Sequence, residues 1–206
     1  MTQNTGKKLY SLGEAYRNLY HALRAFPRLK TAKKSGLLSD EAAERLMLAV
    51  TQVNGCAMCS YAHAQAALEA GMSADAIQAM LAGEMDDVPA TELSAVLFAQ
   101  HYADSRGRPS KSAWAELEKN IGATKSLAVL SAIQVIMAGN TYGIPLGSFK
   151  ARFHADKNHA IDARSTLAYE LMMLLSLIFL LPVAAIAAAL ASLLHLPWMD
   201  DSANSK

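Results

Sequence analysis

Val53-Asn54-Gly55-Cys56-Ala57-Met58-Cys59-Ser60-Tyr61-Ala62-His63 holds both cysteines of the 206-residue chain and its clearest break between two helical patterns. Upstream, Ala43, Leu46, Met47 and Val50 recur at helical spacing behind Ser39, which can cap a helix with Asp40 and Glu41 in its first turn. Downstream, the good helix formers run on to Ala70, and Gly71 suits the residue just past a helix end. Asn-Gly can also turn a β-hairpin, but alternating strands should flank it, and here none do. The stretch is therefore a helix–break–helix, and it sets an all-α reading of the chain.

Working outward, the rest agrees. Ser11 and Glu14 form a capping box for a first helix expected to run to about Ala25, with Pro27 and the basic stretch Arg28 to Lys34 read as a connection. Ser73 caps a short helix through Leu81, which stops near Gly83. A loop at Met85 to Pro89 leads to a fifth helix, and a sixth covers about Lys111 to Asn120. A seventh, capped by Thr124, is expected to end near Asn140, with Gly143, Pro145 and Gly147 closing the globular part. Net charge is +1, so no global charge points to nucleic acid.

On a helix, Cys56 and Cys59 project within about 60° of each other, and His63 joins the same face at i+4 from Cys59. Thiolate, not thiol, attacks a peroxide or a disulfide, and an imidazole within reach can take the thiol proton. A second cysteine can then resolve the sulfenic acid or mixed disulfide. Two close cysteines, without others spread along the chain, read as a redox pair rather than a secreted scaffold. Zinc needs a fourth ligand, and no second CxxC or HxxxH supplies one, so no metal and no other cofactor is expected. Cys56, near the helix start, gains from the dipole, whereas His63 favours Cys59. Met58 and Tyr61, beside the pair, are read as core packing.

The pattern Asn54-Gly55-Cys56-x-x-Cys59-x-x-x-His63, with Gly71 eight residues on and Glu44 twelve residues before Cys56, resembles the alkylhydroperoxidase D-like proteins of the carboxymuconolactone decarboxylase superfamily. The resemblance spans about residues 10 to 150, and its specific part is Glu44 to Gly71. It implies an all-helical homo-oligomer, a trimer or hexamer, that reduces alkyl hydroperoxides. Cys59 would attack the peroxide, Cys56 would resolve, and His63 and Glu44 would relay the proton. Some members carry a histidine directly before the second cysteine, where this chain has Met58. Lactone decarboxylases of the superfamily lack this CxxC. The chain has no other cysteine, so an external dithiol must restore the pair. Two other readings stay open: a disulfide oxidoreductase or redox sensor without peroxide turnover, and a membrane-tethered interaction module.

The C-terminal segment has another character. From Leu171 to Met199 there are 29 residues without Asp, Glu, Lys or Arg, longer than the roughly 20 that span a bilayer core. Trp198 suits an interface. Lys150, Arg152, Lys157 and Arg164 precede the run, and Asp200 and Asp201 follow it, which predicts a cytoplasmic domain at the cell membrane. No apolar leader is read in the first residues. The expected organisation is a helical domain over 1–150, a basic linker over 151–164 and a membrane anchor with a short tail over 165–206. A core helix buried in an oligomer is a second reading of that anchor, and a hairpin bent at Pro182 that dips into the membrane without crossing is a third.

Overall fold

The computed structural model describes residues 8–153 and 161–196. Eight helices and no strand occur among the described residues: α1 (Leu12–Lys34), α2 (Asp40–Asn54), α3 (Ala57–Glu69), α4 (Ala74–Ala82), α5 (Leu93–Asp104), α6 (Lys111–Ile121), α7 (Ala123–Phe153) and α8 (Leu167–Leu193). The all-α reading with about seven helices plus a C-terminal apolar one therefore holds. Lys157, Trp198, Asp200 and Asp201 lie outside the described residues.

Helix α2 is the hub. Every residue from Ala42 to Thr51 is buried, because α3, α4, α5 and α7 all pack on it. Its ends are set locally. The Ser39 side chain accepts the Ala42 N–H, and Gly55 closes the helix in the left-handed region (φ 71°), where its N–H reaches the Thr51 carbonyl at 2.8 Å. Glycine reaches that conformation without strain, so the chain turns sharply at Gly55 and enters α3 at once.

Two helices are longer than the sequence reading has them. Helix α1 passes through Pro27 to Lys34, so the basic stretch is helix, not connection. A proline inside a helix forfeits one backbone hydrogen bond. Here, continuing the helix buries Leu29 and Ala32 in the core, which outweighs that local cost. Helix α7 likewise passes through Gly143, Pro145 and Gly147 to Phe153 instead of ending at Asn140. The extra turns bury Ile144 and Ser148 and present the two glycines to α3. At its other end α7 starts at Ala123, and Thr124 sits inside the first turn rather than capping it.

Helix α8 does not stand apart. It packs along α1 and α7 through Met173, Ala184, Ala188 and Ala191. Arg152, in the last turn of α7, holds the buried Glu170 through two hydrogen bonds of 2.7 and 2.9 Å, and Ser165 adds a third at 2.8 Å. The Tyr169 hydroxyl donates to the Tyr10 carbonyl at 3.0 Å, and Arg24 of α1 donates to the Leu196 carbonyl at 2.7 Å.

Candidate functional site

Cys56 is the N-cap of α3, just outside its first turn, in extended conformation. Its sulfur accepts the Cys59 N–H at 3.3 Å, in the place a serine or aspartate side chain occupies in an ordinary cap. Cys59, three residues on, is disulfide-bonded to it. Cys56 is fully buried and Cys59 is 6% exposed. Cap position thus gives Cys56 the helix N-terminus and a backbone hydrogen bond, both of which favour a thiolate once the bond is reduced. Cys59 is the sulfur nearer to solvent.

Glu44 and His63 come together from different helices. Glu44 sits on α2, buried at 8% exposure rather than solvated, and His63 sits one turn beyond Cys59 on α3. Glu44 Oε2 lies 2.7 Å from His63 Nδ1. The carboxylate fixes the Nδ1 side of the ring and leaves Nε2 as the free nitrogen for proton transfer. The next residue on α2, Arg45, is also buried, and its guanidinium bridges Glu41 at 2.6 Å and Glu92, the N-cap of α5. That pairing anchors α2 to α5 and keeps the register in which Glu44 faces α3.

Helix α7 forms the floor of the site, a role the sequence reading missed. A Cβ on Gly143 would lie 2.5 Å from the Cys59 sulfur and 2.9 Å from the Cys56 sulfur. Hydrogen alone fits there. A Cβ on Gly147 would lie 3.2 Å from the Cβ of Met58. Met58 therefore packs as expected, in the position where some alkylhydroperoxidase D-like proteins carry a histidine. Gly139, Gly143 and Gly147 recur at four-residue steps, a pattern that marks one helix face and was available in the sequence. Tyr61 departs from the core reading: it is half exposed, because its position on α3 faces away from both α2 and α7.

A buried polar cluster holds the turn before Cys56. The Tyr10 hydroxyl donates to Asn54 Oδ1 at 2.8 Å, and Asn54 Nδ2 reaches the Met137 sulfur of α7 at 3.3 Å. Burial pushes the Tyr10 phenol far above its ordinary range, so it remains a donor at any working pH. Thr51 donates to Asn140 of α7 at 3.1 Å. From the outer side, Arg164 Nη2 reaches the Asn54 carbonyl at 3.3 Å, and Asp162 holds that guanidinium with a contact of 2.5 Å. The Asp162 N–H is in turn held by Ser148 of α7 at 3.0 Å.

These features define an all-helical protein with a cysteine pair at a helix N-terminus and a carboxylate–imidazole pair one turn away. The model of the carboxymuconolactone decarboxylase family matches residues 18–101, from α1 to α5, a segment that contains Glu44, Cys56, Cys59 and His63. That segment, somewhat under half of the chain, is similar to the carboxymuconolactone decarboxylase family. No curated protein and no solved structure matches the chain.

Proposed function

We propose that the protein is a thiol-dependent peroxidase that reduces alkyl hydroperoxides. The observation that carries this reading is the Cys56–Cys59 disulfide set one helical turn from the Glu44–His63 pair. In the reduced protein, His63 takes the Cys59 thiol proton, and Glu44 steadies the imidazolium that results. The thiolate attacks the outer peroxide oxygen and the O–O bond breaks. The alkoxide leaves as alcohol, taking the proton from His63, and Cys59 becomes a sulfenic acid. Cys56 attacks that sulfur, the disulfide forms and water leaves. An external dithiol then exchanges with the disulfide, is itself oxidised, and returns both thiols.

The other components of the proposal are a homo-oligomer, trimer or hexamer, and a domain on the cytoplasmic side of the cell membrane, with α8 as the membrane element. One observation favours a second reading. Cys56 sits at the N-cap, where the lower-pKa thiol of an exchange enzyme is expected, so dithiol–disulfide exchange without peroxide turnover is the alternative.

A thiol count by mass on the reduced full chain separates the two. With a small organic hydroperoxide, fast loss of both thiols is expected. Cys59→Ser should slow consumption at least about a hundredfold, and His63→Gln about ten- to a thousandfold. Loss at the rate of a free thiol in solution would leave only the exchange reading.

A further inference from the structure

The outward face of α8 has no partner among the described residues. Leu175, Phe179, Ile186, Leu190 and Leu193 follow at helical steps, each between 53% and 73% exposed. The opposite side of the helix holds Met173, Ala184, Ala188 and Ala191 in the seam with α1 and α7. From Leu175 to Leu193 the ridge is about 27 Å long. It exposes several hundred Å² of apolar surface, a patch size that marks an interaction or membrane site.

We infer that α8, docked as it is on α1 and α7, lies along the surface of a bilayer with this ridge in the lipid, rather than crossing the membrane. The inference rests on the membrane reading of α8 given above.

Three observations lead to it. First, both ends of α8 are pinned alongside α1, by Tyr169 on the Tyr10 carbonyl and by Arg24 on the Leu196 carbonyl. A docked α8 that crossed a bilayer would carry the flanking part of α1 with it. That part bears Glu14, Arg17 and Arg24, and Glu14 is tied to Arg106 as well. Charged groups are costly at the bilayer centre. Lying flat, α8 buries its ridge and leaves those charges behind it in water.

Second, the ridge offers no directional group to a protein partner. The hydroxyls of Ser176 and Ser192 are bonded back to the Met173 and Ala188 carbonyls, at 2.6 and 2.8 Å. Protein interfaces carry about one hydrogen bond per 100–200 Å², whereas lipid tails require none. Third, the exposed Lys150 lies in the last turn of α7, whose Arg152 holds Glu170 at the start of α8, so a cation stands near that end of the ridge. A cation beside an inserted apolar edge fits anionic headgroups.

The test uses the full chain with Cys56 and Cys59 left as their disulfide. A single spin label is placed in turn at Phe179→Cys, Ile186→Cys and Leu193→Cys. Immersion depth is read in vesicles of phosphatidylcholine and phosphatidylglycerol from the collision rates with oxygen and with a nickel chelate. All three labels should lie at one shallow depth, about 5–10 Å below the headgroups. A maximum at Ile186, with Leu193 returning to the opposite headgroups, would overturn the orientation while leaving the membrane reading in place. Labels that meet one another in solution and sense no lipid would overturn it in favour of a second copy of the chain. If the protein does not float with vesicles at all, the membrane reading itself fails. As a second variant, Phe179→Glu with Ile186→Glu should weaken vesicle binding at least about tenfold with helicity unchanged, since both side chains already face outward. Unchanged binding would count against the ridge.

Discussion

Helices α7 and α8 are both long and apolar enough to cross a membrane, yet they sit in opposite environments. Most of α7 is buried among the other helices, whereas most of α8 faces outward. The difference lies in which side chains carry the apolarity. Helix α7 interleaves Ser, Thr, Asn and Gly with its aliphatic residues, and several of these groups meet another helix. Gly143 receives the sulfurs, Asn140 accepts from Thr51, and Thr141 accepts from Asn18 at 2.8 Å. Helix α8 packs Ala184, Ala188 and Ala191 beside Met173 in its seam, whereas its exposed side carries the bulky Leu175, Phe179 and Ile186 along with Ala185 and Ala189. Hydropathy alone gives both helices one label. Interleaved polar and glycine positions tell a helix surrounded by partners from one partnered on one side.

The strongest way to break this contrast is a paired truncation. Leu130→Ala in α7 removes a side chain that is 1% exposed and should cost about 2–5 kcal/mol in urea unfolding. Ile178→Ala in α8 removes one that is 65% exposed and should stay within about 0.5 kcal/mol in the absence of lipid. Equal costs would mean that the outer face of α8 is buried between copies of the chain.

A second, smaller effect sharpens the α7 side. Gly143→Ala forces a methyl against both sulfurs and should destabilise the protein by about 1–3 kcal/mol. Gly139→Ala, four residues earlier, meets only Ile136 at 3.5 Å and should be neutral or stabilising. If the two variants behave alike, α7 does not form the floor of the cysteine pair.

The smallest effect lies where α1 begins, beside α8. Arg106, by hydrogen bonding, holds the Glu14 carboxyl down at about 2, below its ordinary 4.5. A depressed folded value means that this carboxylate contributes stability above about pH 4.5 and loses it as the pH falls towards 2. Wild-type stability should therefore drop more steeply than that of Glu14→Gln across this window. Parallel curves in acid titrations followed by circular dichroism would show that the pair contributes nothing.

Much of this arrangement was legible in the sequence where its cause is local. Ser11 with Glu14, Ser39, Gly55 and Ser73 each act within three or four residues, and each begins or ends a helix as read. The prolines misled for the same reason. Their cost is local, but the burial of Leu29, Ala32 and Ile144 that overrides it is not. Within the site, the cysteine pairing follows from a three-residue spacing. The Glu44–His63 contact joins residues 19 apart, and only the family resemblance pointed to it. The fit of Gly143 under the sulfurs depends on a helix more than eighty residues away in sequence, so spacing could mark a face there without naming its occupant.

The disulfide encloses only two residues between its cysteines. Cross-links stabilise largely by restricting the unfolded chain, and a loop this short restricts it little, less than the roughly 3 kcal/mol of a 15-residue loop. Opening the bond therefore takes little from the folded state, because both cysteine side chains remain packed in a core shared by α1, α2, α5 and α7. Reduction of this bond should leave the architecture around it in place.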